Sequence, residues 1–163
     1  MTSDATIVWF RLDLRLEDNP ALHAACKRDG SVIPAFVWAP DEEGDWPPGA
    51  ASKVWLHQSL QALDASLRSE NSRLIIRKGP SAKALEELAR EVGATAVFWN
   101  RRYEPAFTAR DEKVRSALEK AGLECRTFNS ALLFEPGAVM TRQKDPYQVF
   151  TPFWKACLKE EPP

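Results

Sequence analysis

Five short apolar runs rich in β-branched and aromatic residues occur before residue 130, at 5–10, 31–39, 73–78, 94–100 and 123–129, and helical periodicity separates each from the next. This alternation leaves few folds open. Parallel strands need a crossover of a dozen or more residues, and helical crossovers within one sheet are right-handed. The pattern predicts an α/β protein with a Rossmann-like, doubly wound, five-stranded parallel sheet between two helical layers (α/β/α), in the common order 3-2-1-4-5.

The intervening segments carry their own signals. Asn19 before Pro20 reads as an N-cap with proline at the first helical position, opening a helix that runs to about Gly30. Leucines 56, 60, 63 and 67 fall on one face of a long helix starting near Ala50. Ser81 reads as the cap of a third helix, with Leu85, Leu88, Ala89 and Val92 inward and Gly93 as its stop. Thr108 with Asp111 resembles a capping box, and Val114, Ala117, Leu118 and Ala121 form the stripe of a fourth helix that ends at Gly122. Pro34 removes a ladder donor, so the second strand is expected to be irregular or to begin late. Trp9, Trp55, Trp99 and Cys26 read as core residues, and His57 as an exposed helix residue. After Asn129 the period dissolves. Residues 131–163 are expected to form an extension with no element of its own, leading from a domain over 1–130 into a linker.

A chain of 163 residues fits one domain that buries roughly two-thirds of its unfolded surface. With 22 basic against 23 acidic residues, it has no basic footprint to hold nucleic acid by bulk electrostatics. Cys26, Cys125 and Cys157 are far apart, with no CxxC, and the histidines are His23 and His57 alone. These numbers argue against a disulfide framework or zinc site and point to a reducing cytoplasm. The opening "MTSDATIVWF" lacks signal-peptide features, and no run reaches membrane-spanning length. No GxGxxG, P-loop or nucleophile–histidine constellation is present, so these residues offer no catalyst and no metal site.

In a sheet of this order, ligands bind where the strand order reverses, between the loops after strands one and four. Those loops read "RLDLRLED" and "NRRYEPAF". Arg11, Asp13 and Arg15 are expected to face Arg101, Arg102 and Glu104, with Phe107 nearby. Phe36 and Trp38 at the end of strand two, and Trp46 in the acidic loop 40–49, would form an aromatic wall. Forked guanidinium donors beside aromatic faces suit a flat heteroaromatic ligand with an anionic tail. The same alternation of Arg and Asp also suits a local ion-pair network that only shapes the turn, and the residues leave both readings open.

Taken together, "VWFRLDLRLEDNPAL", "WNRRYEPAFTARDEKV", "LLFEPGAVMT" and "PYQVFTPFWKACL" resemble, in this order, the N-terminal domain of the DNA photolyase and cryptochrome family. The resemblance covers essentially the whole chain. It implies a two-domain flavoprotein in which light-excited FAD, held by a C-terminal helical domain absent here, splits pyrimidine dimers in DNA. It implies for this part a light-harvesting antenna chromophore: a folate, a deazaflavin or a flavin. Phe36, Trp46 and Lys53 join the antenna cleft by family position. Folate-binding members carry an Asn-Glu pair where Ala106 and Phe107 stand, and deazaflavin-binding members an acidic residue at Arg102, so neither pattern is matched. The reading is the antenna domain of a photolyase, a monomer whose partners are its own helical domain and, through that domain, damaged DNA. On its own this fragment is expected to be inactive. The alternatives are a cryptochrome photoreceptor without repair activity and a stand-alone small-molecule binder.

Overall fold

The structure, a computed structural model, describes residues 4–44 and 47–160. Every residue of β1 (Ala5–Phe10) is buried, because helices cover both faces of a central parallel strand and leave no side for polar residues. It is flanked by β2 (Val32–Trp38) and β4 (Ala94–Asn100), and these in turn by β3 (Ile75–Lys78) and β5 (Glu124–Phe128). All neighbours are parallel, in the order β3-β2-β1-β4-β5 that the alternation predicts.

The two-residue period of the strands sorts the core into two layers. Ile7, Trp9, Val97 and Trp99 pack against Leu85 and Leu88 of α3 (Ser81–Val92) and Val114 and Leu118 of α4 (Pro105–Lys120). Val8, Phe10 and Phe98 face Ala21 and Ala25 of α1 (Pro20–Cys26) and Leu63 and Leu67 of α2 (Ala50–Ser69). Pro34 pairs with Val8, while the ladder to β3 begins only at Ala35, so the missing donor falls where a single strand lies alongside.

Several expectations are corrected. α1 ends at Cys26 rather than near Gly30. Gly30 instead turns the chain at φ +113, where a Cβ would meet the Asp4 carbonyl oxygen at 2.0 Å, so only glycine fits. Cys26, one residue past the buried Ala25, is exposed rather than core. Trp55 is 74% exposed, because it sits about 100° round the helix from the stripe that starts at Leu56. Ser81 begins α3 without capping it: its N–H and hydroxyl both donate to the Glu42 carboxylate, from the 3₁₀ turn at Pro40–Glu42. α4 starts at Pro105, three residues before Thr108, since proline is pre-set for the first helical position. The Thr108 hydroxyl donates back to the Glu104 carbonyl, and Asp111 is employed elsewhere.

The described residues form two compact units that divide between Ser130 and Ala131. Contrary to expectation, the second has an element of its own, α5 (Phe150–Cys157). Two turns containing Pro152 and three aromatic residues are too short to display a period. Phe150 and Trp154 stack on α5 with centroids 6.3 Å apart, and Tyr147 tilts onto Phe153 at 6.1 Å.

Candidate functional site

The glycine-free turn after β1 is filled by its own side chains. Asp13 accepts the Arg11 N–H at 2.9 Å and, on its other oxygen, the side-chain amide of Asn100 at 2.5 Å. Asn100, the last residue of β4, also donates to Asn19 at 2.8 Å and accepts the N–H of Ala21 at 3.1 Å. Asn19 caps α1 as expected, accepting from Leu22 at 3.1 Å, and donates to the Arg15 carbonyl. The first N–H groups of α1 are thereby all engaged, and Pro20 has none. Those groups are what a phosphate at a helix N-terminus requires, so this terminus offers no phosphate seat. Arg15 forks onto the carbonyls of Asp18 and Ser130.

Arg11 follows Trp9 on the same face and is 5% exposed. One guanidinium nitrogen pairs with Asp111 of α4, and the carbon centre lies 4.9 Å from the Trp9 ring. Nε and Nη2 have no partner among the described residues. Burial lowers the Arg11 pKa from its ordinary value, against the opposing attraction of Asp111. Arg110 donates to the same carboxylate at 2.8 Å and stands 4.8 Å from Phe107 and 5.2 Å from Trp9. Trp9 meets Trp99 edge-on at 5.8 Å. On its other side Phe107 carries Arg102, whose guanidinium carbon is 3.2 Å from the ring centre. Arg102 donates to Glu104 at 2.8 Å and lies 3.8 Å from Glu43, in the loop after β2. That hydrogen bond from Arg102 holds the Glu104 carboxyl below its ordinary range.

The two loops therefore meet, through different pairs from those expected. Arg11 and Asp13 find Asp111 and Asn100, whereas Arg102 and Glu104 pair with each other. Arg101 turns to β5, its N–H on the Phe128 carbonyl and its guanidinium on Thr127. Asn100, Arg110 and Asp111 were missed from the sequence. Their signal was the helical spacing of Phe107, Arg110 and Asp111, which puts all three on one face.

Phe36, Trp38 and Lys53 lie apart from this cluster, lining a groove of about 400 Å³ between α2 and the ends of β2 and β3. Leu56, Leu60 and Ile76 complete its apolar floor, and His57, Arg77 and Lys78 also line it. Arg77 is paired with Glu91, leaving Lys53 and Lys78 as the strong cations beside the groove. Trp46 lies outside the described residues. The candidate residues thus divide between a buried, internally paired polar cluster that leaves two Arg11 nitrogens over and an open apolar groove with a cationic edge. Of the two, the groove is the open cavity, with an apolar floor to suit a flat ring and cations to suit an anionic tail. No group of three His, Cys, Asp or Glu that would hold a metal ion exists among the described residues.

The family model for DNA photolyase matches residues 6–163. The chain is 45% identical to Cryptochrome-1 of Arabidopsis thaliana over 154 residues, which cover 94% of this chain and 22% of that protein. Its fold matches the class III photolyase of Agrobacterium tumefaciens with a TM-score of 0.90 and 41% identity, over 99% of this chain and 33% of that one. An archaeal photolyase from Sulfolobus tokodaii, solved with two FAD molecules and taken to imply a novel light-harvesting cofactor, matches at a TM-score of 0.79 and 31% identity. That match covers 98% of this chain and 36% of the archaeal one. The chain thus spans between about a fifth and just over a third of the length of these relatives.

Proposed function

Because the chain belongs to the DNA photolyase family, we propose that it is the α/β part of a longer light-driven flavoprotein that splits pyrimidine dimers in DNA. In this reading FAD and the DNA-binding face belong to the remainder of the protein, and the α/β part seats an antenna chromophore. The observation that supports an antenna here is the groove of Phe36, Trp38 and Lys53, an apolar floor beside which Lys53 and Lys78 have no ion-pair partner among the described residues. When bound, a folate, deazaflavin or flavin in that groove supplies near-ultraviolet or blue absorption to be passed on as excitation. The chain's own residues do the holding. Phe36, Trp38 and Ile76 exclude water from a ring face, and Lys53 and Lys78 attract a carboxylate or phosphate tail. The cluster around Arg11 fixes the neighbouring loops and takes no part in chemistry.

The 45% identity to a cryptochrome supports a second reading, a blue-light photoreceptor without repair. One experiment separates the readings: blue-light repair of dimer-containing duplex DNA by the full-length protein, alongside its absorption spectrum. Turnover with an absorption band beyond that of FAD is the expected result. A flavin band without turnover favours the photoreceptor, and a spectrum with no second band overturns the antenna.

A further inference from the structure

We propose that the groove of about 620 Å³ in the second unit is a binding site for phosphate groups. Lys144, Lys155 and Lys159 line it together with Tyr147, against a single carboxylate, Glu160. No acidic side chain among the described residues is within ion-pair distance of any of the three lysines. Lys155 in the last turn of α5 and Lys159, two residues past its end at Cys157, bring like charges close together. The helix C-terminus gives a reason for these two, since its carbonyls attract cations. It gives none for Lys144, which comes from a separate segment.

Lys144 is also held where lysine rarely sits, at φ +64. A tight turn keeps it there. The Thr141 N–H donates to the Asp145 carbonyl at 2.9 Å, the Lys144 N–H to the Thr141 carbonyl at 2.9 Å, and the Asp145 N–H to the Thr141 hydroxyl at 3.1 Å. Three ammonium groups against one carboxylate leave the concavity with a positive potential, and an oxygen-rich dianion lowers the free energy most by filling it. Ammonium groups suit a tetrahedral phosphate as point charges, without the planar match that a guanidinium imposes. The volume exceeds the needs of one phosphate, so the chemistry is that of a diphosphate, free or as successive phosphates of a nucleic-acid strand.

The test is calorimetric titration of the full chain with pyrophosphate, repeated with a labelled single-stranded oligonucleotide followed by anisotropy. K144Q and K155Q are each expected to weaken pyrophosphate binding by about tenfold, the loss of one charge-assisted contact. K144R is expected to restore it, and unchanged thermal melts separate the loss from unfolding. Displacement of pyrophosphate by the oligonucleotide, with a salt dependence that becomes shallower in K144Q, assigns the site to a strand backbone. Pyrophosphate binding that the oligonucleotide leaves untouched assigns it to a free diphosphate. Native protein that does not bind pyrophosphate, or glutamine variants that bind it as tightly as the native protein, overturn the proposal.

Discussion

Truncating Asp111 would strand the Arg11 guanidinium in a site that is 5% exposed, with a single carboxylate to answer it. Asp111→Ala is therefore expected to cost about 3–5 kcal/mol in urea unfolding, the range for breaking a buried pair from one side. Because Arg110 shares that carboxylate, the triple replacement Arg11→Met, Arg110→Met and Asp111→Leu removes all three charges and should recover most of that loss. Asp64 makes a different kind of contact on α2, accepting the Leu74 N–H at 2.9 Å and the Arg68 guanidinium at 2.7 Å. The Leu74 hydrogen bond, followed by that of Arg68, holds its pKa below the ordinary 3.8. A depressed folded value stabilises above the unfolded pKa and is lost as pH falls through the folded one. Asp64→Asn should accordingly melt lower than the native protein at pH 7, with the gap closing as the pH falls below 3.8. Among the thiols, burial pushes Cys125 up to about 11, whereas Cys26 is exposed. At pH 8 a thiol reagent should consume Cys26 first, and mass spectrometry of early time points should find Cys125 unmodified.

At the scale of elements, Asn100 ties the end of β4 to the start of α1 and to the turn between β1 and α1. Asn100→Ala would leave the buried Ala21 N–H unpaired and remove the donors to Asp13 and Asn19. A cost of about 2–4 kcal/mol in chemical unfolding is expected, an unsatisfied buried group plus lost hydrogen bonds. Most elements were legible in the sequence for a physical reason: strands covered on both faces must be apolar throughout, and Asn19 before Pro20 states a helix start locally. Thr108 and Asp111 misled because Pro105 opens the helix one turn earlier, freeing Asp111 to meet a residue 100 positions away. No local rule encodes such a pairing. Trp55 misled for the converse reason, since its bulk suggests burial while its angle on α2 denies it. The candidate ligand cleft was half legible: Phe36, Trp38 and Lys53 do share a groove, but Ile76 and Lys78 come from a strand the sequence reading left unused.

For the whole molecule, the α/β part is expected to be silent alone. Purified as the 163-residue chain, it should leave thymine dimers intact under blue light, measured by chromatography of the irradiated oligonucleotide. In the full-length protein, Phe36→Ala with Lys53→Ala should lower the antenna band while sparing the flavin band. The Asn19–Asn100 closure over the start of α1 has a further result for how such a protein performs in a cell. Sheets of this topology commonly receive adenine nucleotides, which absorb no visible light, at the crevice beside their first helix. With the Ala21 and Leu22 N–H groups already held by Asn100 and Asn19, a nucleotide phosphate finds no free donor there, and abundant cellular nucleotides are not expected to compete for this end of the sheet.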